Sequence, residues 1–207
     1  MKGNREIFLA KHGKSEWNGR KIISGQLNSA LSAEGRSFAE SLTDVLKTEN
    51  LSAIHTSTLS RSIDTALPTA DLQGLQVTQH EDLREIDVGI LQGRFRDERD
   101  PESQQIWAER EKEKEKFRIP GGETFGNLKA RVDKCLPGIL ASSDPILIVG
   151  HRSTNRLIIR RLMNWSRNKV AGLNLRSKFL YEISYNVASQ IDTIQISSGM
   201  KFAGFKE

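Results

Sequence analysis

Two segments of this chain place a histidine just past an apolar run: Lys11-His12-Gly13 follows residues 7–10, and Gly150-His151-Arg152 follows residues 145–149. A third cluster, His55-Thr56-Ser57, ends a shorter apolar stretch and is followed by Arg61. Histidine can serve as nucleophile, acid or base near neutral pH, while lysine and arginine hold anions through charge and N–H donors. Gathered in one place, these residues make an anion site with chemistry inside it. Arg61 strengthens the reading, because a cation in the first turn of a helix opposes the helix dipole unless an anion binds there.

A sheet is needed to bring them together. Residues 7–10 and 145–149 read as buried strands and residues 53–55 as a shorter one, each leading toward an amphipathic helix. Phe38, Leu42, Val45 and Leu46 form one apolar stripe after Leu31-Ser32. A second helix starts near Leu59 and is expected to end before Pro68, where a ring would clash with the preceding turn. Phe125, Leu128, Val132 and Leu136 mark a third helix, stopped or kinked around Pro137; Leu157, Ile158, Leu162 and Met163 mark a fourth. Phe179, Tyr181 and Ile183, then Ile194 and Ile196, alternate as strands at a sheet edge do. The pattern predicts an α/β fold: a three-layer α/β/α sandwich with a mostly parallel central sheet and an antiparallel edge strand. Ligands of such sheets bind beyond the carboxyl ends of the strands. There Lys11, His12, Arg61, His151 and Arg152 should meet, with helix N-termini near Leu59 and Ser153 adding oriented N–H groups.

Composition narrows the partners. Lys and Arg number 31 against 26 Asp and Glu, an excess of five that could attract any polyanion. The densest charged stretch, residues 109–116, alternates in sign and sums to zero, so it is not the basic, aromatic-interleaved run of a nucleic-acid binder. It reads as a solvated helix, or more sharply as a lid over the cleft anchored by Ile106, Trp107 or Phe117. No apolar run approaches the ~18 residues a bilayer requires, so no membrane partner is expected. Nothing divides the chain, which predicts one domain over residues 1–207 with a charged helical insertion at about 98–118. A lone Cys135, beside core residue Leu136, cannot form an internal disulfide; with no secretory apolar core at the N-terminus, a cytoplasmic setting is expected. No H-x-E-x-H or C-x-x-C pattern calls for a metal, and no cofactor is expected. Gly13-Lys14-Ser15 ends like a phosphate-binding loop, but Phe8 stands where that motif needs its first glycine. His55 and His80 are assigned no role.

Six blocks then occur in a telling order: residues 11–18, residues 25–35, residues 57–66 around Arg61, residues 83–93 around Glu85, Gly122-Glu123-Thr124, and Val149-Gly150-His151. Together they resemble the histidine phosphatase superfamily, the phosphoglycerate mutase-like proteins, from residue 7 to about residue 163. The resemblance implies that neutral His12 attacks phosphorus and carries a transient phosphohistidine. It implies that Lys11, Arg61 and His151 surround the phosphoryl oxygens, that Asn18 donates to one of them, and that Glu85 is the general acid and base. Glu81, Asp82 and Asp87 are neighbouring carboxylates that could stand in for Glu85. Three positions depart from the family: Lys11 replaces arginine, Lys14 replaces Glu or Gln, and Arg152 replaces a small residue. An ammonium keeps the charge but loses the planar fork. Arg152 either restores it or reads a second acidic group. The implied activity is hydrolysis of a small phosphorylated metabolite, without nucleic acid, and compatible with a homodimer. The alternatives are a bisphosphoglycerate-dependent mutase, disfavoured by the short segment between Gly93 and Gly122, and a phosphoester-binding protein impaired by Lys11.

Overall fold

The computed structural model describes residues 5–113, 116–142, 145–186 and 189–206. In chain order its elements are β1 (Arg5–Lys11), α1 (Glu16–Gly19), α2 (Ala33–Leu46), β2 (Ala53–Ser57), α3 (Ser60–Gln73), β3 (Val77–His80), α4 (Pro101–Lys112), α5 (Phe125–Ile139), β4 (Ile146–Gly150), α6 (Arg152–Met163), α7 (Arg167–Ala171), β5 (Phe179–Tyr185), β6 (Gln190–Gln195) and β7 (Met200–Ala203). The seven strands form one sheet in the order β3-β2-β4-β1-β5-β6-β7. The first four are parallel, and β5, β6 and β7 continue the sheet antiparallel, so the antiparallel side is three strands wide.

Alternation along the strands explains the layers, since successive side chains point to opposite faces. Ile7 and Leu9 of β1 join Ile146 and Ile148 in a core closed by α5 and α6. Phe8 and Ala10 join Leu147 and Val149 in a second core closed by Phe38, Leu42 and Leu46 of α2 and Ala66 and Ala70 of α3. Each buried Leu or Ile contributes roughly 1.5–3 kcal/mol. The sandwich is thus three layers deep.

Two prolines behave differently from expectation. Helix α3 continues through Pro68 to Gln73. Proline deprives the Asp64 carbonyl of its partner, but Asp64 and Leu67 lie on the exposed flank, where water can serve it. The buried face of Arg61, Thr65, Ala66, Thr69 and Ala70 keeps the axis in place. Helix α5 likewise runs past Pro137 to Ile139, which is buried. Ile106, Trp107 and Phe117 pack half-buried against the α5/α6 core, so the charged segment is tethered on its apolar side. Lys114 and Glu115 of that segment lie outside the described residues. No described helix is long and apolar enough to cross a membrane.

Candidate active site

Register does most of the assembly. β1 pairs with β4 so that Lys11 faces Gly150, and the His12 N–H then donates to the Gly150 carbonyl at 3.0 Å. His12 and His151 therefore leave adjacent strands side by side, their rings 5.1 Å apart. β2 ends one strand over, and Ser57 Oγ lies 2.7 Å from His151 Nε2.

The His12 loop is fixed from both sides. Thr65 of α3 accepts from the Gly13 N–H at 2.9 Å. On the other side α2 lies so close that a Cβ on Gly35 would stand 2.1 Å from the Lys14 carbonyl oxygen, and one on Gly13 would stand 2.5 Å from that of Gly35. Only glycine allows this approach. Ser15 caps α1 in a capping box with Asn18, whose Oδ1 accepts from the Ser15 N–H at 3.1 Å. That leaves the exposed Asn18 amide NH2 to face the cavity it lines.

His12 is buried, and its Nδ1 donates to the Gly13 carbonyl at 2.7 Å. A carbonyl only accepts, so the proton sits on Nδ1 and the lone pair on Nε2. Burial, then the charges of Lys11 and Arg61, hold its pKa well below the usual histidine range. His151 is lowered in the same direction by burial, Arg61 and His12. It is fully buried beside the His12 ring, and its Nδ1 is without a hydrogen-bond partner among the described residues.

Arg61 is 2% exposed, not a solvated first-turn residue. Its two terminal nitrogens donate to the carbonyls of Leu27 and Gly25, each at 2.8 Å, and burial lowers its pKa to about 10. Lys11 donates to Ser177 Oγ at 3.0 Å, and Ser177 in turn donates to the His12 carbonyl at 2.6 Å. Burial, then the Arg152 charge, lowers the Lys11 ammonium to about 8.

Glu85 comes from the loop after β3. Its carboxylate accepts from the Ser153 N–H at the start of α6 at 3.3 Å and from the Ile86 N–H at 2.8 Å. The loop is clamped by Arg131 of α5, which donates to the carbonyls of Asp82, Arg84 and Glu85 and to the Glu123 carboxylate. Glu123 also accepts from the Asp87 N–H at 2.9 Å, and Gln26 donates to the Glu85 carbonyl at 3.1 Å.

Lys11, His12, Asn18, Arg61, Glu85 and Arg152 all line one cavity of about 1320 Å³. Trp107, Arg110 and Lys112 of α4 form part of its wall, so the charged segment borders the cleft. Thirteen Lys and Arg line the cavity against four Glu, so its lining is strongly cationic. Arg152 is exposed. His55 and His80 pair with each other at 3.0 Å on β2 and β3, outside the cavity. Among the described residues no group of three or more His, Cys, Asp or Glu could hold a metal ion. Half-buried Cys135 packs against the α5/α6 core, and burial pushes its thiol up to about 11.

Sequence reasoning missed Ser177, Arg131 and the work of Glu123. Ser177 precedes β5 with no pattern around it, and Arg131 looks like any polar position of an amphipathic helix. Thr65 and Glu123 lay within the quoted blocks, and the structure shows what they bind.

The profile of the histidine phosphatase superfamily (branch 1) matches residues 7–190. A protein named "Probable phosphoglycerate mutase GpmB" from Yersinia enterocolitica is 32% identical over 184 residues, 87% of this chain and 85% of that one. Its Yersinia pestis namesake is 30% identical over 183 residues, with the same coverage of both chains. Among solved structures, an alpha-ribazole phosphatase from Shigella flexneri aligns with a TM-score of 0.83 at 20% identity, over 98% of this chain and 100% of that one. A mycobacterial glucosyl-3-phosphoglycerate phosphatase aligns with a TM-score of 0.74 at 24% identity, over 88% and 91%.

Proposed function

This chain belongs to branch 1 of the histidine phosphatase superfamily, and on that premise we propose that it hydrolyses phosphomonoesters through a phosphohistidine on His12. The observation that carries the reading is the state of His12: buried, neutral, with the Nε2 lone pair left open by the bond from Nδ1 to Gly13. In the first step Nε2 attacks phosphorus, the P–N bond forms and the ester P–O bond breaks. Glu85 gives a proton to the departing alkoxide. In the second, Glu85 takes a proton from water, the resulting oxygen attacks phosphorus, the P–N bond breaks and phosphate leaves.

Charge builds on the phosphoryl oxygens in both steps. Lys11 and Arg61 stand ready for it, and cations already fixed in place need no reorganisation at the moment of reaction. The unpartnered Nδ1 of His151 supplies a further donor in the tautomer that accepts from the Ser57 hydroxyl at Nε2. Asn18 adds its NH2, and Arg152 receives the substrate at the rim.

Phosphate release from glycerol 3-phosphate and a panel of phosphoesters tests the reading. The intact chain should release phosphate and form an acid-labile phosphoryl adduct, and His12→Ala should do neither. Activity surviving in His12→Ala would overturn the mechanism. The named similarity to GpmB favours a second reading, phosphoglycerate mutase; transfer between the 2- and 3-positions of phosphoglycerate without phosphate release would establish it. Binding without turnover by the intact chain would mark a phosphoester-binding protein.

A further inference from the structure

The groups around His12 (Lys11, Asn18, Arg61 and Glu85) make up only part of the lining of a cavity of about 1320 Å³, more room than most small-molecule sites of roughly 300–1,000 Å³ provide. Beyond these groups, between α4 and α6, three arginines from two separate elements face the same space: Arg110 from α4, and Arg152 and Arg156 from α6.

Their partners do not account for them. Arg110 is 8% exposed, yet its one ion pair among the described residues is to Glu111 at 3.4 Å, with its guanidinium 5.2 Å from the centre of the Trp107 ring. A guanidinium carries five N–H donors, so this leaves most of its capacity unused. Arg152 has no hydrogen bond or ion pair among the described residues. Arg156 is better occupied: its Nε and Nη2 donate to the Leu173 carbonyl, which ties α6 to the chain after α7 and fixes the guanidinium in place. Burial lowers the affinity of Arg156 for its proton, the Arg152 charge lowers it further, and Glu85 and Glu111 oppose. Three guanidiniums facing one space repel each other, and a bound anion turns that repulsion into attraction. Planar forks of donors suit carboxylates and phosphates.

We propose that the wall between α4 and α6 is a second anion site, where Arg110, Arg152 and Arg156 take a carboxylate or second phosphate carried by the molecule whose phosphoryl group enters beside His12. The inference rests on the reading of His12 as the phosphoryl site. It narrows the substrate to phosphomonoesters bearing a second acidic group, and it gives Arg152, unusual for the family, a ligand.

Matched ligands test it. The pair 3-phosphoglycerate and glycerol 3-phosphate differs by a carboxylate, and the pair propane-1,3-diol bisphosphate and propyl phosphate by a second phosphate. Each is titrated calorimetrically into His12→Ala, so the preference is read whether or not the intact chain turns the ligand over. The acidic member of at least one pair should bind about tenfold tighter or more, as a charge-assisted contact of this kind provides. Which pair discriminates identifies the group. In His12→Ala combined with Arg110→Gln the preference should fall to within about threefold, and Arg110→Lys should recover part of it. Arg161→Gln, exposed on α6 and outside the cavity lining, should leave the ratio as it was. Equal affinities within both pairs would overturn the proposal, as would a preference that survives Arg110→Gln or vanishes equally in Arg161→Gln. Absence of phosphate release by the intact chain would overturn the hydrolase reading alone.

Discussion

The most exposed part of this mechanism to experiment is Lys11. Its ammonium is pulled from 10.5 to about 8, first by burial and then by the neighbouring Arg152 charge. At pH 7 about nine in ten of these side chains carry charge, and at pH 9 only about one in ten does. Affinity for a phosphoryl group should therefore decline above pH 8, approaching tenfold per unit until about pH 10. A bound dianion favours the charged form, so binding orthophosphate near pH 8.5 should draw a proton onto Lys11. The sign for stability is opposite. The fold disfavours charged Lys11, a penalty fully present below pH 8 and relieved between 8 and 10.5, so the free protein gains stability there while losing affinity. The assay is kcat/KM against pH from 6.5 to 10 with glycerol 3-phosphate, supported by calorimetry of phosphate binding in two buffers of different ionisation enthalpy. In Lys11→Arg the alkaline limb should move beyond the measured range, because guanidinium stays charged. A flat profile to pH 10 in the unaltered protein would refute the reasoning. So would a limb near pH 8 that persists in Lys11→Arg.

Three other perturbations follow from the geometry. Arg131→Met removes the clamp on the Glu85 loop and leaves Glu123 half-buried without its partner; it should cost about 3 kcal/mol in urea unfolding and lower kcat more than it raises KM. Gly35→Ala drives a methyl group against the Lys14 carbonyl, which should cost about 2 kcal/mol and reduce turnover by displacing the His12 loop. His55 is pulled down to about 4 by burial and the His80 charge, so neutral His55 is the native form, and stability should fall as pH drops from 6.5 to 4. The loss from His55 approaches about 3 kcal/mol at pH 4, and His55→Gln should flatten that limb in acid-unfolding titrations.

How legible this was in the sequence depended on whether a residue's role followed from local pattern. Strand β4 is buried along its whole length and β1 is apolar and buried from Ile7 to Ala10, so they stood out, and parallel topology then placed His12, His151 and Arg61 together. Strands β3 and β7 lie at the sheet edges, and neither has more than partly buried residues, with two of four exposed in β3 and three of four in β7, so no alternation announced them. Pro68 misled because the rule against proline assumes that the bereft carbonyl has no water, and here that flank is exposed. Ser177 and Arg131 act through contacts with residues far away in the chain, at separations of 166 and 46 positions for Lys11 and Glu85. No local spacing encodes such contacts.

The concentration of cations in the cavity changes what the basic character of the protein means. Thirteen of the 31 Lys and Arg and four of the 26 Asp and Glu line the cleft, leaving 18 cationic against 22 anionic side chains on the rest of the chain. The molecule is an acidic body with a basic mouth. A dipole of that kind turns its opening toward an approaching anion, so capture should accelerate at low ionic strength and slow as salt shortens the screening length. On a phosphate-bearing resin it should be held by the mouth alone and released by millimolar orthophosphate, a behaviour that a uniformly basic surface would not produce.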